Sequence, residues 1–195
     1  KLEFEINYNK SINRETRILG VERNLYDISY EMEQYKNGYI IKEINPSENK
    51  IKYRNKMIVG FKYINNDIIA GFYEENSHKI IAMDSCLMHS DIQNKIVQET
   101  IKIMKQLKLR PYDEDRRNGL IRYLLIKEGF KTNELMVVIV TGQEVFPGSN
   151  EFCKRIRSIS PNIKTIVQNI NTRKTSVVLG DKEKILFGNG YISDY

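Results

Sequence analysis

Two short apolar runs constrain this chain most. Leu120 to Ile126 is interrupted by a single charge at Arg122, and Leu135 to Thr141 carries none. Both are too short for ordinary helices, and a polar loop containing Gly129 joins them, so they read as buried strands. The helices that cover such strands can also be read. Asp91 to Leu109 repeats Ile92, Ile96, Val97, Ile101 and Met104 at helical spacing; Lys102, Lys105 and Lys108 suit its C-terminal half, and Pro111 stops it. A second helix starts at Ser149 or Asn150, aligns Phe152, Cys153, Ile156 and Ile159 on one face, and closes at Pro161.

The remaining segments are shorter. Leu2, Phe4 and Ile6 alternate as one strand. Ser29 resembles an N-cap for a helix from Glu31 to Ile44, with Met32, Tyr35, Tyr39 and Ile40 as its apolar side and Asn45-Pro46-Ser47 as its end. Lys52 to Ile64 and Asp67 to Glu75 form a hairpin over Asn65-Asn66, a pair that tolerates positive φ. Lys79 to Met83, Ile163 to Gln168, Thr175 to Leu179 and Lys184 to Phe187 read as further strands, and Asn171 to Lys174 as an exposed, partly basic turn. Short connections between strands and helices argue for an α+β fold, an α/β sandwich whose mostly antiparallel or mixed sheet carries helices on a face.

At 195 residues the chain suits one domain, here 29–195, preceded by an N-terminal segment 1–28 of uncertain character. No apolar run reaches the roughly 18–20 residues of a membrane span. The opening Lys1-Leu2-Glu3-Phe4-Glu5 is not a signal peptide, so a cytoplasmic protein is expected. It lacks an initiator Met, as expected of a segment that begins inside a longer chain. The net charge of +6 fits a polyanionic partner such as nucleic acid. Richness in Lys, Ile and Asn yields such a charge without any partner, so placement has to decide. Two cysteines, Cys86 and Cys153, and two histidines, His78 and His89, are too few for a self-sufficient zinc site.

Tyr53-Arg54-Asn55-Lys56 combines cations for phosphates with an aromatic ring for stacking, as recognition of unpaired RNA requires. Strand alternation would put Tyr53 and Asn55 on one face and Arg54 and Lys56 on the other. A solvated sheet edge carries the same residue types without binding anything. Arg122 sits inside an apolar strand, with Lys127 after it. A cation there needs a partner or an exit to water. It either pairs with Asp113, Glu114 or Asp115, or contacts a phosphate. His78 is either a hydrogen-bonded structural residue or an RNA contact. Phe72-Tyr73 reads as core, and Arg116-Arg117 and Arg173-Lys174 as solvated loop charges. No nucleophile–base pair, paired-carboxylate pocket or metal set is discernible, and no G-x-G-x-x-G turn occurs.

Several phrases together carry a resemblance. They are Tyr53-Arg54-Asn55-Lys56-Met57, Gly71-Phe72-Tyr73 with Ser77-His78-Lys79-Ile80, Asp84-Ser85-Cys86-Leu87, Tyr112-Asp113-Glu114 with Gly119-Leu120-Ile121-Arg122, Val167 to Asn171, Leu179-Gly180, and Gly188 to Ile192. In this order and spacing over residues 50–195, with Ser29 to Lys36 before them, the chain resembles the central region of the bacterial RNA (uracil-5-)-methyltransferase family. The resemblance implies a central domain between an oligonucleotide-binding barrel and a Rossmann-like S-adenosylmethionine domain. It implies RNA recognition, on ribosomal or transfer RNA, through Tyr53, Arg54, Asn55, Lys56, His78, Arg122 and Lys127. The family nucleophile is a cysteine that adds to C6 of uracil from a proline-rich loop of the catalytic domain. Neither Cys86 nor Cys153 matches it, so the chain is expected to be inactive alone and to bind no cofactor. Family members more often have His where Tyr123 stands and Arg where Lys127 stands. Many members hold a [4Fe–4S] cluster, whose fourth ligand matches Cys86. The other three positions fall near Arg14, Gly20 and Arg23, so no cluster is expected. The rival expectation is a scaffold that supports the catalytic domain, with RNA binding elsewhere.

Overall fold

The structure is a computed structural model that describes residues 2–6, 41–46, 51–74, 77–174 and 177–195. The chain forms two compact units, Lys1–Tyr53 and Arg54–Tyr195. In the first, β1 (Leu2–Ile6) pairs antiparallel with β2 (Ile41–Pro46), Phe4 opposite Ile44 and Ile6 opposite Ile41. The alternation at Leu2, Phe4 and Ile6 therefore does form a strand. The helix expected over Glu31 to Ile44 is corrected at its end, where Ile41 to Ile44 is extended. Antiparallel pairing with β1 outweighs the helical spacing. Residues 31–40, with the N-cap expected at Ser29 and the positions Arg14, Gly20 and Arg23, lie outside the described residues.

The second unit is a seven-stranded mixed sheet in the order β5-β4-β3-β6-β7-β8-β9. Its strands are β3 (Lys56–Ile64), β4 (Asp67–Tyr73), β5 (Ile80–Ala82), β6 (Ile121–Glu128), β7 (Leu135–Thr141), β8 (Ile163–Ile170) and β9 (Lys182–Phe187). The hairpin between β3 and β4 turns on Asn65 and Asn66, both at positive φ, as their side chains permit. β7 and β8 run parallel, so the chain must cross over between them, and α2 (Ser149–Arg157) makes that crossover. α1 (Asp91–Gln106) is capped by Ser90, whose side chain accepts the Gln93 N–H, and ends as Lys108 turns to positive φ.

Both helices lie on one face. Met57, Val59, Phe61, Leu124, Ile126, Val137 and Ile139 from the strands pack with Ile96, Ile103, Met104, Phe152 and Ile156 from the helices. Arg155 ties α2 to Glu99 and Gln106 of α1. The opposite face carries a smaller cluster of Tyr123, Val138, Val140 and Val167. The α+β sandwich with helices on a face matches the expectation from the sequence.

Two strand boundaries differ. The strand expected from Lys52 begins only at Lys56, and Lys52 itself has a φ of 56°. Val177 to Leu179 is not a strand; Thr175 and Ser176 lie outside the described residues. Asparagine side chains take its backbone groups instead of a ladder. Asn171 donates to the Val177 and Val178 carbonyls at 2.7 and 3.1 Å, while Asn169 donates to the Gly180 carbonyl and accepts its N–H.

Past β9 the chain returns to the β6–β7 turn. Asp194 accepts the Phe130 and Lys131 N–H groups, both at 2.9 Å, which hold its carboxyl below the ordinary carboxylate range. Leu124 is fully buried at the centre of the sheet. Leu124→Ala is expected to lower stability by about 3 kcal/mol, read from the urea midpoint. A loss below about 1 kcal/mol would contradict a close-packed helix-covered face.

Candidate nucleic-acid interface

The cations expected at β3 and β6 do converge. Lys56 and Lys127 are cross-strand partners in the register of the two strands. Directly opposed residues share a face, and both side chains are exposed. Like charges in that arrangement repel, so the pair is costly for the sheet unless an anion lies between them. Arg54 is exposed two residues earlier. None of the three forms an ion pair with the described residues.

The backbone beneath these cations is clamped from two sides. Arg54 N–H donates to the Met88 carbonyl at 2.9 Å, and the Asn55 carbonyl accepts Glu128 N–H at 2.8 Å and the Gln93 side-chain amide at 3.3 Å. The Lys56 carbonyl accepts from His89 Nε2 at 3.0 Å. A carbonyl only accepts, so Nε2 carries the ring proton and Nδ1 is bare. Nδ1 then accepts the Cys86 thiol proton at 3.0 Å. Asn94 fixes the same loop through the Cys86 N–H and the Cys86 and Ser90 carbonyls. Ser90 also donates to Glu128 at 2.6 Å. The N-terminus of α1 and the end of β6 thus hold the Arg54–Lys56 segment rigidly. Nothing in the hydrophobic periodicity pointed to His89 or Gln93.

Alternation does not extend back through this segment. Tyr53, Arg54 and Asn55 precede β3, so the face assignment expected for them fails. Tyr53 is half-buried and closes the first compact unit; Asn55 is half-buried and engaged through its carbonyl.

Arg122 requires a correction. It is the extra residue of a bulge, since Ile121 faces Thr141 and Tyr123 faces Val140. The bulge aims its guanidinium into the protein, where all five N–H donors are used. Nε and Nη2 bind both carboxylate oxygens of Glu114 at 2.8–3.0 Å, and Nη1 donates to the Asn171 and Arg173 carbonyls at 2.9 Å. The ring of Tyr112 lies 4.8 Å from it and that of Tyr123 5.8 Å. Gly142 leaves room for the Tyr112 ring, where a Cβ would come within 2.6 Å. No donor is left for a phosphate, so the internal pairing with Glu114 prevails over the phosphate reading.

His78 lies apart from these cations. It bonds Asp115 at 2.9 Å, both side chains being mostly exposed, and lines a small cavity with Tyr63, Tyr73, Asp113 and Glu114. Lys62 lines the same cavity, and none of Arg54, Lys56 or Lys127 does.

The residues do not fit the cofactors that the resemblance brings to mind. The parallel β7–α2–β8 crossover is where a Rossmann-type cradle would sit. Its glycines are already taken, Gly142 by Tyr112 and Gly148 by Leu107, whose side chain a Cβ would meet at 2.7 Å. Gly188-Asn189-Gly190 precedes no helix. Cys86 faces His89, whereas Cys153 is buried on α2, with burial pushing its thiol up to about 11. Among the described residues no group of three His, Cys, Asp or Glu could hold a metal ion.

Comparison with known proteins now bears on this surface. No protein-family model matches the chain. An uncharacterized RNA methyltransferase of Halalkalibacterium halodurans is 38% identical over 143 residues, 73% of this chain and 31% of that protein. One from Oceanobacillus iheyensis is 32% identical over 181 residues, 87% of this chain and 39% of that protein. The sequence similarity is to RNA methyltransferases. The chain spans about a third of the length of these relatives. Among solved structures, the Pyrococcus abyssi tRNA (uracil-54, C5)-methyltransferase in complex with S-adenosyl-L-homocysteine aligns with a TM-score of 0.59 at 20% identity, over 77% of this chain and 34% of that one. At that identity the likeness speaks for the fold.

Two outcomes are expected. Glu114→Ala leaves a buried guanidinium unpaired and should cost about 3–5 kcal/mol in urea unfolding; a change near zero would mean Arg122 reaches solvent. His89 is held below its ordinary pKa, first by burial and then by the Arg54 charge, against the bond to Lys56, which raises it. Its neutral form is the folded one. Its contribution is present above about pH 6.5 and is lost as pH falls through that value towards the lower folded one. Urea midpoints at pH 7.5 and 5.5 should differ more for the native chain than for His89→Gln, and equal differences would refute the assignment.

Proposed function

We propose that this chain is the RNA-contacting part of an RNA (uracil-5-)-methyltransferase acting on ribosomal or transfer RNA. The observation that carries this reading is the exposed trio Arg54, Lys56 and Lys127 at one end of the sheet, with no ion pair among the described residues. Exposed cations on a hydrogen-bonded backbone suit phosphates, because the segment that carries them is already placed. Similarity to proteins named RNA methyltransferases supports RNA as the polyanion. The phosphate contacts would position the nucleic acid and leave the choice of base to other groups.

In this reading the chemistry is not performed by the described residues. The cysteine nucleophile and the S-adenosylmethionine site are assigned to the portion of such enzymes that the chain does not span, and the chain alone is inactive. RNA would be held here while the target uracil is extruded towards that portion.

A scaffold reading has one observation in its favour. Arg122, the cation at the heart of the sheet, serves only internal packing. The two readings separate in binding experiments. The chain is expected to bind a labelled RNA stem-loop with an affinity that falls as salt rises. Replacing Arg54, Lys56 and Lys127 with Ala should weaken binding and reduce the slope of log K against log salt by about 2, at roughly 0.7 per contact for unpaired strands. Absence of binding by the native chain would leave the scaffold reading standing.

A further inference from the structure

We infer that the cleft between the end of α2 and β9 is a second nucleotide site, which takes one phosphate and one base of single-stranded RNA. The inference rests on RNA being the partner of this chain but concerns different residues. The cleft measures about 600 Å³, within the usual range of ligand sites, and is lined by Asn150, Lys154, Arg157, Ser158, Ser160 and Phe187 among others. None of its lining residues is acidic.

Its geometry is specific. The Arg157 guanidinium lies 3.8 Å from the centroid of the Phe187 ring. At that distance one face of the guanidinium is spent on the ring while the exposed side chain keeps the other towards solvent. A guanidinium plane held in this way is a platform for a nucleobase, and its N–H edge remains available to a phosphate. Lys154 is one turn earlier on the same helix, exposed and without an ion pair among the described residues. Basic residues in a last turn also complement the helix dipole. That role explains neither the cleft nor the stack, and the third cation of the turn, Arg155, is already taken by Glu99 and Gln106. Burial keeps the Cys153 thiol protonated at neutral pH, so the cleft has no nucleophile to offer.

The cleft shares one end of the sheet with the first site. Lys56 faces Lys127, the next residue of β6 faces Leu135, and Leu135 pairs with Ile163, the first residue of β8. α2 ends just before Ile163, and Phe187 ends β9 opposite Ile166. Lys56, Lys127 and the cleft therefore occupy the same end of the sheet, the cleft on the helix-covered face and the two lysines on the opposite one, so a bound strand would pass round that end. Three strand spacings, on the order of 14 Å, separate β3 from β8, a span of a few nucleotides.

The test is binding of the 195-residue chain to a short, fluorescein-labelled single-stranded oligouridylate across a salt series. Lys154→Ala with Arg157→Ala should lower affinity and reduce the salt slope by about 0.7, the share of one phosphate. Arg157→Lys keeps the charge and loses the plane; it should bind about tenfold more weakly with an unchanged slope. Both positions are exposed, and unchanged melting curves would confirm that each variant is folded. If the native chain and the Lys56→Ala/Lys127→Ala variant differ while both cleft variants bind as the native chain does, the cleft assignment is overturned and the RNA reading survives. If the native chain binds no RNA, both fall.

Discussion

Arg122 brings a full positive charge into the sheet, and three stretches of chain converge to receive it. Glu114 supplies the counter-charge from the segment before β6, and the residues after β8 supply two carbonyls. Tyr112 and Tyr123 cover the guanidinium. A buried ion pair of this kind adds little to net stability, but loss of either partner is expensive. It therefore acts as a condition on the fold. The segments at 111–119 and 171–173 must close correctly, or an unpaired charge stays inside. The bulge at Arg122 is what allows β6 to keep its apolar residues on the helix-covered face while sending one cation elsewhere.

How much of this was legible in the sequence depended on the range of the forces involved. β7 was read to its limits, because six apolar residues in a row closed by Thr141 leave few alternatives. α1 was read to within a turn, from spacing, the lysines of its C-terminal half and the stop at Pro111. Errors arose where side chains act on backbone at a distance. Val177 to Leu179 has the composition of a strand, but Asn169 and Asn171 capture it. Ile41 to Ile44 was assigned to a helix because its partners Phe4 and Ile6 are about forty residues away.

The candidate site shows the same division. Lys56 and Lys127 could be named from sequence, since each sits at the end of a recognisable strand. Their direct opposition could not, because register is a tertiary property. Arg122 was visible as an anomaly with two explanations, and only the bulge and the position of Glu114 decide between them. His89 and Arg157 were passed over for opposite reasons. A lone histidine before a helix cap looks structural, and an arginine in a last turn looks like a dipole complement.

The register of β3 against β6 also governs when such a surface comes into being. Lys56 and Lys127 are roughly seventy positions apart in the chain, and between them lie the first hairpin and the whole of α1. Closing that loop is an entropic cost met late, after the local hairpin and helix can already exist. A partly folded chain would carry the same number of positive charges, yet they would be spread over mobile segments. Only completion of the central pairing turns them into a fixed pair. Tight, salt-sensitive capture of a polyanion would therefore mark chains that have finished folding, and nascent chains would be spared premature entanglement with nucleic acid.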